Sequence, residues 1–245
     1  MMAYAGLNRW WRARTRRQQA RLLANHQSIA HKPLVHAARA MLLAIACLLS
    51  LTALSCTGSL AHTQPASTIP RAAHQHQLAL KREAQRVWGL NAPVATFAAQ
   101  IHQESRWNAS ARSPVGALGL TQFMPATARW IGSTDAALAS PAPLNPTWAI
   151  RALVQYDFWL TQRIKAQDDC QRMAYTLAAY NGGLGWVYKR QARSATPGVC
   201  LGAACNINPG VTAASQAENA HYPAVILQRF EPLYEAARWG PGSCP

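Results

Sequence analysis

Val94, Phe97, Ala98 and Ile101 recur at the three- and four-residue spacing of one helix face, following an Asn-Ala-Pro step that sets Pro93 in a first turn. Residues 148–164 repeat the pattern through Ile150, Leu153, Tyr156, Trp159, Leu160 and Ile164. A third apolar run, residues 173–179, is halted by Asn181-Gly182-Gly183, a strong stop signal. A fourth, residues 222–237, turns Val225, Ile226, Phe230 and Leu233 inward. No stretch alternates as a series of strands would, and only the Gly- and Pro-rich segment 197–210 has room for a small hairpin. The pattern predicts a mainly α domain over residues 78–245, without internal repeats.

Upstream the pattern changes. Residues 40–60 run for 21 positions without a charge, about the length that crosses a bilayer as a helix. Before them, residues 1–39 hold Arg9, Arg12, Arg14, Arg16, Arg17, Arg21, Lys32 and Arg39 and no acid. Basic arm plus apolar run predicts a transmembrane signal anchor in the bacterial inner membrane, with the arm cytoplasmic and residues 62–245 periplasmic. Ser59-Leu60-Ala61 has the small residues of a signal-peptidase site, which would release a secreted form, but the basic region is longer than in a secretory signal. Cys56 lacks the leucine three residues earlier that lipidation wants. Residues 61–77 are polar, Pro-containing and aperiodic, as a linker is.

Charge and cysteines add to this picture. The chain of 245 residues is half apolar, enough for a core, and carries a formal +15 from 24 Lys and Arg against nine Asp and Glu. Such a charge attracts nucleic acid, anionic lipid or acidic wall polymer alike. The adjoining apolar run accounts for the basic arm without nucleic acid, which is not expected as a partner. Cys170, Cys200, Cys205 and Cys244 are an even number on the exported side, so disulfides are expected, in any of three pairings. His74 and His76 have no Cys or carboxylate cluster near them and read as tether, so no metal or other cofactor is expected.

One acid stands apart. From residue 84 to 134 the only carboxylate is Glu104, near the C-terminal end of the first predicted helix and at the edge of its apolar face. Partial burial and the helix dipole both disfavour its charge there, and an acid kept protonated suits cleavage of a glycosidic bond. Ser113, Gly116 and Gly119 then permit a tight loop, from which Gln122, Met124 and Pro125 enter another helix.

The stretch "ESRWNASARSPVGALGLTQFMPATA" resembles the first motif of the soluble lytic transglycosylase family. "LAAYNGGLGWV" resembles the second, Ala-Tyr-Asn-x-Gly, and "ENAHYPAVIL" the third, Glu-x-x-x-Tyr-Val. The order and spacing agree over residues 78–237. The resemblance implies a lysozyme-like helical fold with Glu104 as catalytic acid and base, and with Ser113, Gln122 and Met124 along a sugar cleft. It implies that Tyr180 hydrogen-bonds Glu104 beside Asn181, and that Glu218 and Tyr222 close the far side. Two positions depart from the family: Thr121 stands where Met is usual, and Pro223 where Val is usual.

The substrate so implied is the peptidoglycan glycan strand, cut between N-acetylmuramic acid and N-acetylglucosamine with a 1,6-anhydro product. Asp135, Asp157 and Glu218 are the acids that folding could bring to Glu104 for hydrolysis by two carboxylates. A goose-type muramidase is therefore the alternative enzyme. A non-catalytic wall-binding scaffold of a secretion, conjugation or phage apparatus is the alternative outside enzymes. A zinc deaminase, suggested by His102-Gln103-Glu104, fails for want of a Cys-x-x-Cys.

Overall fold

A computed structural model describes residues 68–244. The expected arm 1–39 and span 40–60 lie outside the described residues. Eight α-helices are described: α1 (Gln77–Trp88), α2 (Val94–Ser105), α3 (Pro125–Gly132), α4 (Pro146–Thr161), α5 (Asp169–Gly182), α6 (Leu184–Arg193), α7 (Ala213–Ala224) and α8 (Glu231–Ala236). A π-helical segment, Val225–Phe230, joins α7 to α8.

Helix α2 is the centre of the fold. It packs on α1, the π segment and α8, while α4 packs on α1 and α5, and α5 on α6 and α7. Its sequence predicts one apolar face, yet every residue from Val94 to His102 is buried. Ala95, Ala98 and Ala99 make this feasible, since small side chains let neighbouring helices close in from several sides.

The helices start earlier than their apolar runs because the caps are polar. Asn145 accepts from the Thr147 and Trp148 amides at 2.9 and 3.2 Å, and so opens α4 before Pro146. Asp168 accepts from the Gln171 amide at 2.7 Å, and Thr212 from the Ser215 amide at 3.1 Å, opening α5 and α7. Helix α7 thus begins nine residues before the run expected from residue 222. Pro223 lies inside it without breaking it. A proline withdraws one N–H from the ladder and crowds the carbonyl four residues back, and the chain continues into the wider π turn.

Two expectations are corrected. Residues 197–210 form no hairpin: they hold a 3-10 turn, Ala204–Asn206, closed by the Cys200–Cys205 disulfide. Isolated β-bridges occur instead between Arg112 and Leu118 and between Leu118 and Phe123, in the loop before α3. Residues 71–77 are not an aperiodic linker, since Arg71–His76 is a 3-10 helix and Gln77 begins α1. Ala73 is fully buried, and His76 stacks on Trp107 with centroids 5.9 Å apart. Contacts made by one alanine and by histidine rings leave no hydrophobic period to read.

A second disulfide, Cys170–Cys244, ties the start of α5 to the segment that follows α8. Glu231 secures the same segment. Its buried carboxylate accepts from Thr96 Oγ1 on α2 and from the Ser243 and Cys244 amides, both at 3.2 Å.

Candidate active site

Glu104 is the penultimate residue of α2 and is half-buried. The chain leaves the helix through Arg106 and Trp107, both left-handed with φ of 53° and 65°, a costly pair for residues bearing a Cβ. Trp107 is held in place by burial and by its indole N–H, which donates to Tyr234 Oη at 2.6 Å. His102, one turn before the helix end, stacks on Phe230 with centroids 4.2 Å apart and lies 3.1 Å from Tyr234 Oη. Burial first, and then the positive charges of Arg106 and Arg229, lower its pKa to about 4.

The loop after α2 is built by short hydrogen bonds. Ser113 Oγ accepts from the Ala117 amide at 2.9 Å, and the Ser113 amide donates to the Ala117 carbonyl at the same distance. Gln122 has φ of 48°, and its side-chain amide donates to the Gly119 carbonyl at 2.9 Å. Gly119 cannot be otherwise: φ is 73°, and a Cβ there would stand 1.9 Å from the Pro143 carbonyl oxygen.

These elements form an open cleft lined by Glu104, Ala117, Gln122, Phe123, Met124, Thr127, Tyr156, Tyr180 and Asn181. Of the residues expected at the site, Glu104, Gln122, Met124, Tyr180 and Asn181 meet there. Ser113 shapes the loop rather than the lining, and Glu218 sits half-buried on α7. Asn181 is held from behind by Asn219, whose amide donates to Asn181 Oδ1 at 2.8 Å and to the Ala178 carbonyl at 3.0 Å.

The hydroxyl expected on Glu104 from Tyr180 comes instead from Tyr222. Tyr180 Oη donates to the Thr121 carbonyl at 2.7 Å, so the backbone of the residue that departs from the family meets the second motif. Tyr222, reaching in from α7, donates its hydroxyl to Glu104 Oε1. The residue just before Pro223 and the π segment is thus the one joined to the acid. Burial first, and then charge on Glu104, raise the pKa of both tyrosines well above the ordinary phenol range, so both remain donors.

A second acid lies behind the site. Asp157 on α4 is fully buried, and among the described residues neither carboxylate oxygen has a hydrogen-bond partner of normal geometry. Burial raises its pKa well above the carboxylate range; Gln100 nearby opposes the shift and charge on Glu104 adds to it. At 0% exposure it is closed off from any ligand. Sequence reasoning missed Ala117, Phe123, Thr127 and Tyr156 in the lining; Tyr156 stands at helical spacing among core residues, and Ala117 and Phe123 lie in a loop without a period. Among the described residues no group of His, Cys, Asp and Glu is arranged to hold a metal.

Comparison with known proteins gives the geometry a context. Residues 82–198 match the transglycosylase SLT domain. A membrane-bound lytic murein transglycosylase F of Shewanella halifaxensis (strain HAW-EB4) is 35% identical over 104 residues, 42% of this chain and 20% of the relative. Its counterpart in Pasteurella multocida (strain Pm70) is 37% identical over 90 residues, 36% of this chain and 17% of the relative. The chain thus spans no more than 20% of the length of these relatives. The 70 kDa soluble lytic transglycosylase SLT70 of Escherichia coli shares the fold, with a TM-score of 0.52 at 22% identity over 70% of this chain and 30% of its own. Residues 82–198 are thus similar to the transglycosylase SLT domain, on a fold shared with that soluble lytic transglycosylase.

Proposed function

We propose that this protein is a peptidoglycan lytic transglycosylase that cuts the β-1,4 bond between N-acetylmuramic acid and N-acetylglucosamine without water. The observation that carries the reading is the single acid of the cleft: Glu104 is the only carboxyl among its lining residues, and Asp157, one candidate for a second, is buried beyond reach of substrate. Hydrolysis by two carboxylates needs both at the sugar. One suffices when the substrate supplies the nucleophile.

In this mechanism Glu104 gives its proton to the glycosidic oxygen as the bond to muramoyl C1 breaks. The carboxylate so formed takes the proton of the muramoyl C6 hydroxyl, whose oxygen attacks C1 and closes the 1,6-anhydro ring. Glu104 ends protonated again, and no water is consumed. Tyr222, donating to Oε1, fixes the carboxyl in the cleft. Gln122 and Asn181 offer polar groups along the cleft, and Met124, Phe123 and Tyr156 apolar surface for sugar rings.

Glu104→Gln keeps the shape and removes the proton. Release of muropeptides from purified sacculi should fall by several orders of magnitude, since acid and base steps contribute about 100- to 10,000-fold each, while sacculus binding survives. Mass spectrometry of the wild-type products should find anhydro-muramoyl ends, one water lighter than the reducing ends of a muramidase. Reducing ends as primary product would overturn the proposal, and intact binding with no product would make the protein a scaffold.

We infer further that residues 40–60 anchor the enzyme with its domain in the periplasm. The basic arm, the uncharged run and the two disulfides of an oxidising compartment support this, as do relatives named membrane-bound. Alkaline phosphatase fused after Gln77 should be active. An inactive fusion, with the protein present, would put the domain in the cytoplasm and out of reach of the wall.

A further inference from the structure

The cleft is bounded by nine lining residues. A polymer must continue beyond it, and one wall does. Thr127 on α3 lines the cleft, and Trp130, three residues on and so on the same side of the helix, is 38% exposed. Tyr156 of the lining touches both Trp130 and Trp159, with centroids 5.6 and 6.2 Å away, and the two indoles meet edge to face at 4.8 Å. One turn further along α4, the Arg163 guanidinium lies 3.8 Å from the Trp159 ring centroid and donates to the Trp159 carbonyl at 2.8 Å. The aromatic surface thus runs without a gap from the cleft to an exposed cation.

The polar edges of these indoles differ from those of tryptophans that serve the core. Trp88, Trp107 and Trp148 each donate their N–H, to the Val154 carbonyl, Tyr234 Oη and the Leu138 carbonyl. The structure gives the Trp130 and Trp159 N–H groups no acceptor among the described residues. A half-exposed indole with a free donor offers two features that a pyranose complements: a flat apolar face for its C–H groups and a hydrogen bond for a hydroxyl. A stacked guanidinium adds a fixed charge for a carboxylate.

We propose that Trp130, Trp159 and Arg163 form a binding subsite for a glycan ring outside the cleft, with Arg163 placed for an anionic substituent of the strand. The inference rests on the cleft being a glycan site, and adds that affinity grows with strand length through this platform.

The test uses the full chain carrying Glu104→Gln, which binds without turnover, and measures affinity for soluble N-acetylglucosamine oligomers of three and six units. Adding Trp130→Ala should cost about tenfold for the hexamer, the scale of one aromatic contact, and less than twofold for the trimer; Trp130→Tyr should recover part of the loss. Arg163→Gln should leave both oligomers unaffected and weaken peptide-bearing strands released from sacculi. Circular dichroism and melting temperature establish that each variant is folded. If the parent binds both oligomers and Trp130→Ala weakens neither, or weakens both equally, the subsite is overturned while the cleft reading stands. A parent that binds neither oligomer overturns both. A change of sedimentation on Trp130→Ala, with oligomer affinities intact, would assign the platform to a second copy of the chain and also overturn the subsite.

Discussion

Replacing Tyr222 by Phe removes one oxygen, the hydroxyl that meets Glu104, and leaves the ring where it packs. Tyr222 is 2% exposed, so the lost bond is one made to an ionisable group away from bulk water. Hydrogen bonds to charged groups contribute about 1.5–3 kcal/mol. If this one acts on the reacting carboxyl, turnover should fall roughly 10- to 100-fold. A donor favours the ionised carboxylate, so its loss should also move the ionisation seen in the pH–rate profile upward. Tyr180→Phe is the matched control. Its hydroxyl donates to the Thr121 carbonyl, a bond between neutral partners worth about 1 kcal/mol. That variant should lose less than about tenfold, with the profile unmoved. The assay is release of soluble muropeptides from purified sacculi across pH, with circular dichroism to establish the fold. A Tyr180→Phe profile that shifts beside a Tyr222→Phe profile that does not would refute the reasoning and return the partner of Glu104 to the position that motif order implies.

Two further predictions concern buried titrating groups. Asp157 holds its proton more tightly in the folded protein than in the unfolded chain, so it contributes most to stability below about pH 4 and less as pH rises, by up to about 1.4 kcal/mol per unit. Asp157→Asn should therefore be more stable than the parent at pH 7 in urea titrations, with the gain shrinking toward pH 4; a gain independent of pH would mean the group ionises alike in both states. His102 has the opposite sign: its folded-state pKa of about 4 lies below the ordinary 6.5, so the unfolded chain binds the proton first and stability is lost as pH falls through that window. His102→Gln should flatten the loss between pH 6.5 and 4, which amounts to about 3 kcal/mol before solvent screening reduces it; an unchanged slope would remove His102 as its source.

Helices α2, α4 and α5 were legible as apolar runs of helical length and spacing, and all appear where those runs predict them. The beginnings of α4, α5 and α7 were not, because Asn145, Asp168 and Thr212 act through side-chain oxygens that carry no hydrophobic signal. The lone acid of the first motif was visible as charge on the edge of an apolar face. Its partner was not, since Tyr180 and Tyr222 are both aromatic positions in helical patterns and only the packing of α7 decides which hydroxyl arrives. Asp157 sits in an apolar run as any surface acid would, and its burial beside Gln100 depends on packing between segments distant in sequence.

The two disulfides are nested: Cys200 and Cys205 close a ring spanning 5 positions inside the ring spanning 74 that Cys170 and Cys244 close. An oxidant acting on cysteines in the order a chain emerges would join Cys170 to Cys200 and Cys205 to Cys244, and both links would be wrong. The native pairs need either folding ahead of oxidation, so that α5 and the segment after α8 are already side by side, or a thiol able to undo the first links by exchange. Yield of the active enzyme in an exporting host should therefore depend on disulfide isomerase capacity more than on oxidase capacity, a dependence set by topology and independent of the chemistry at Glu104.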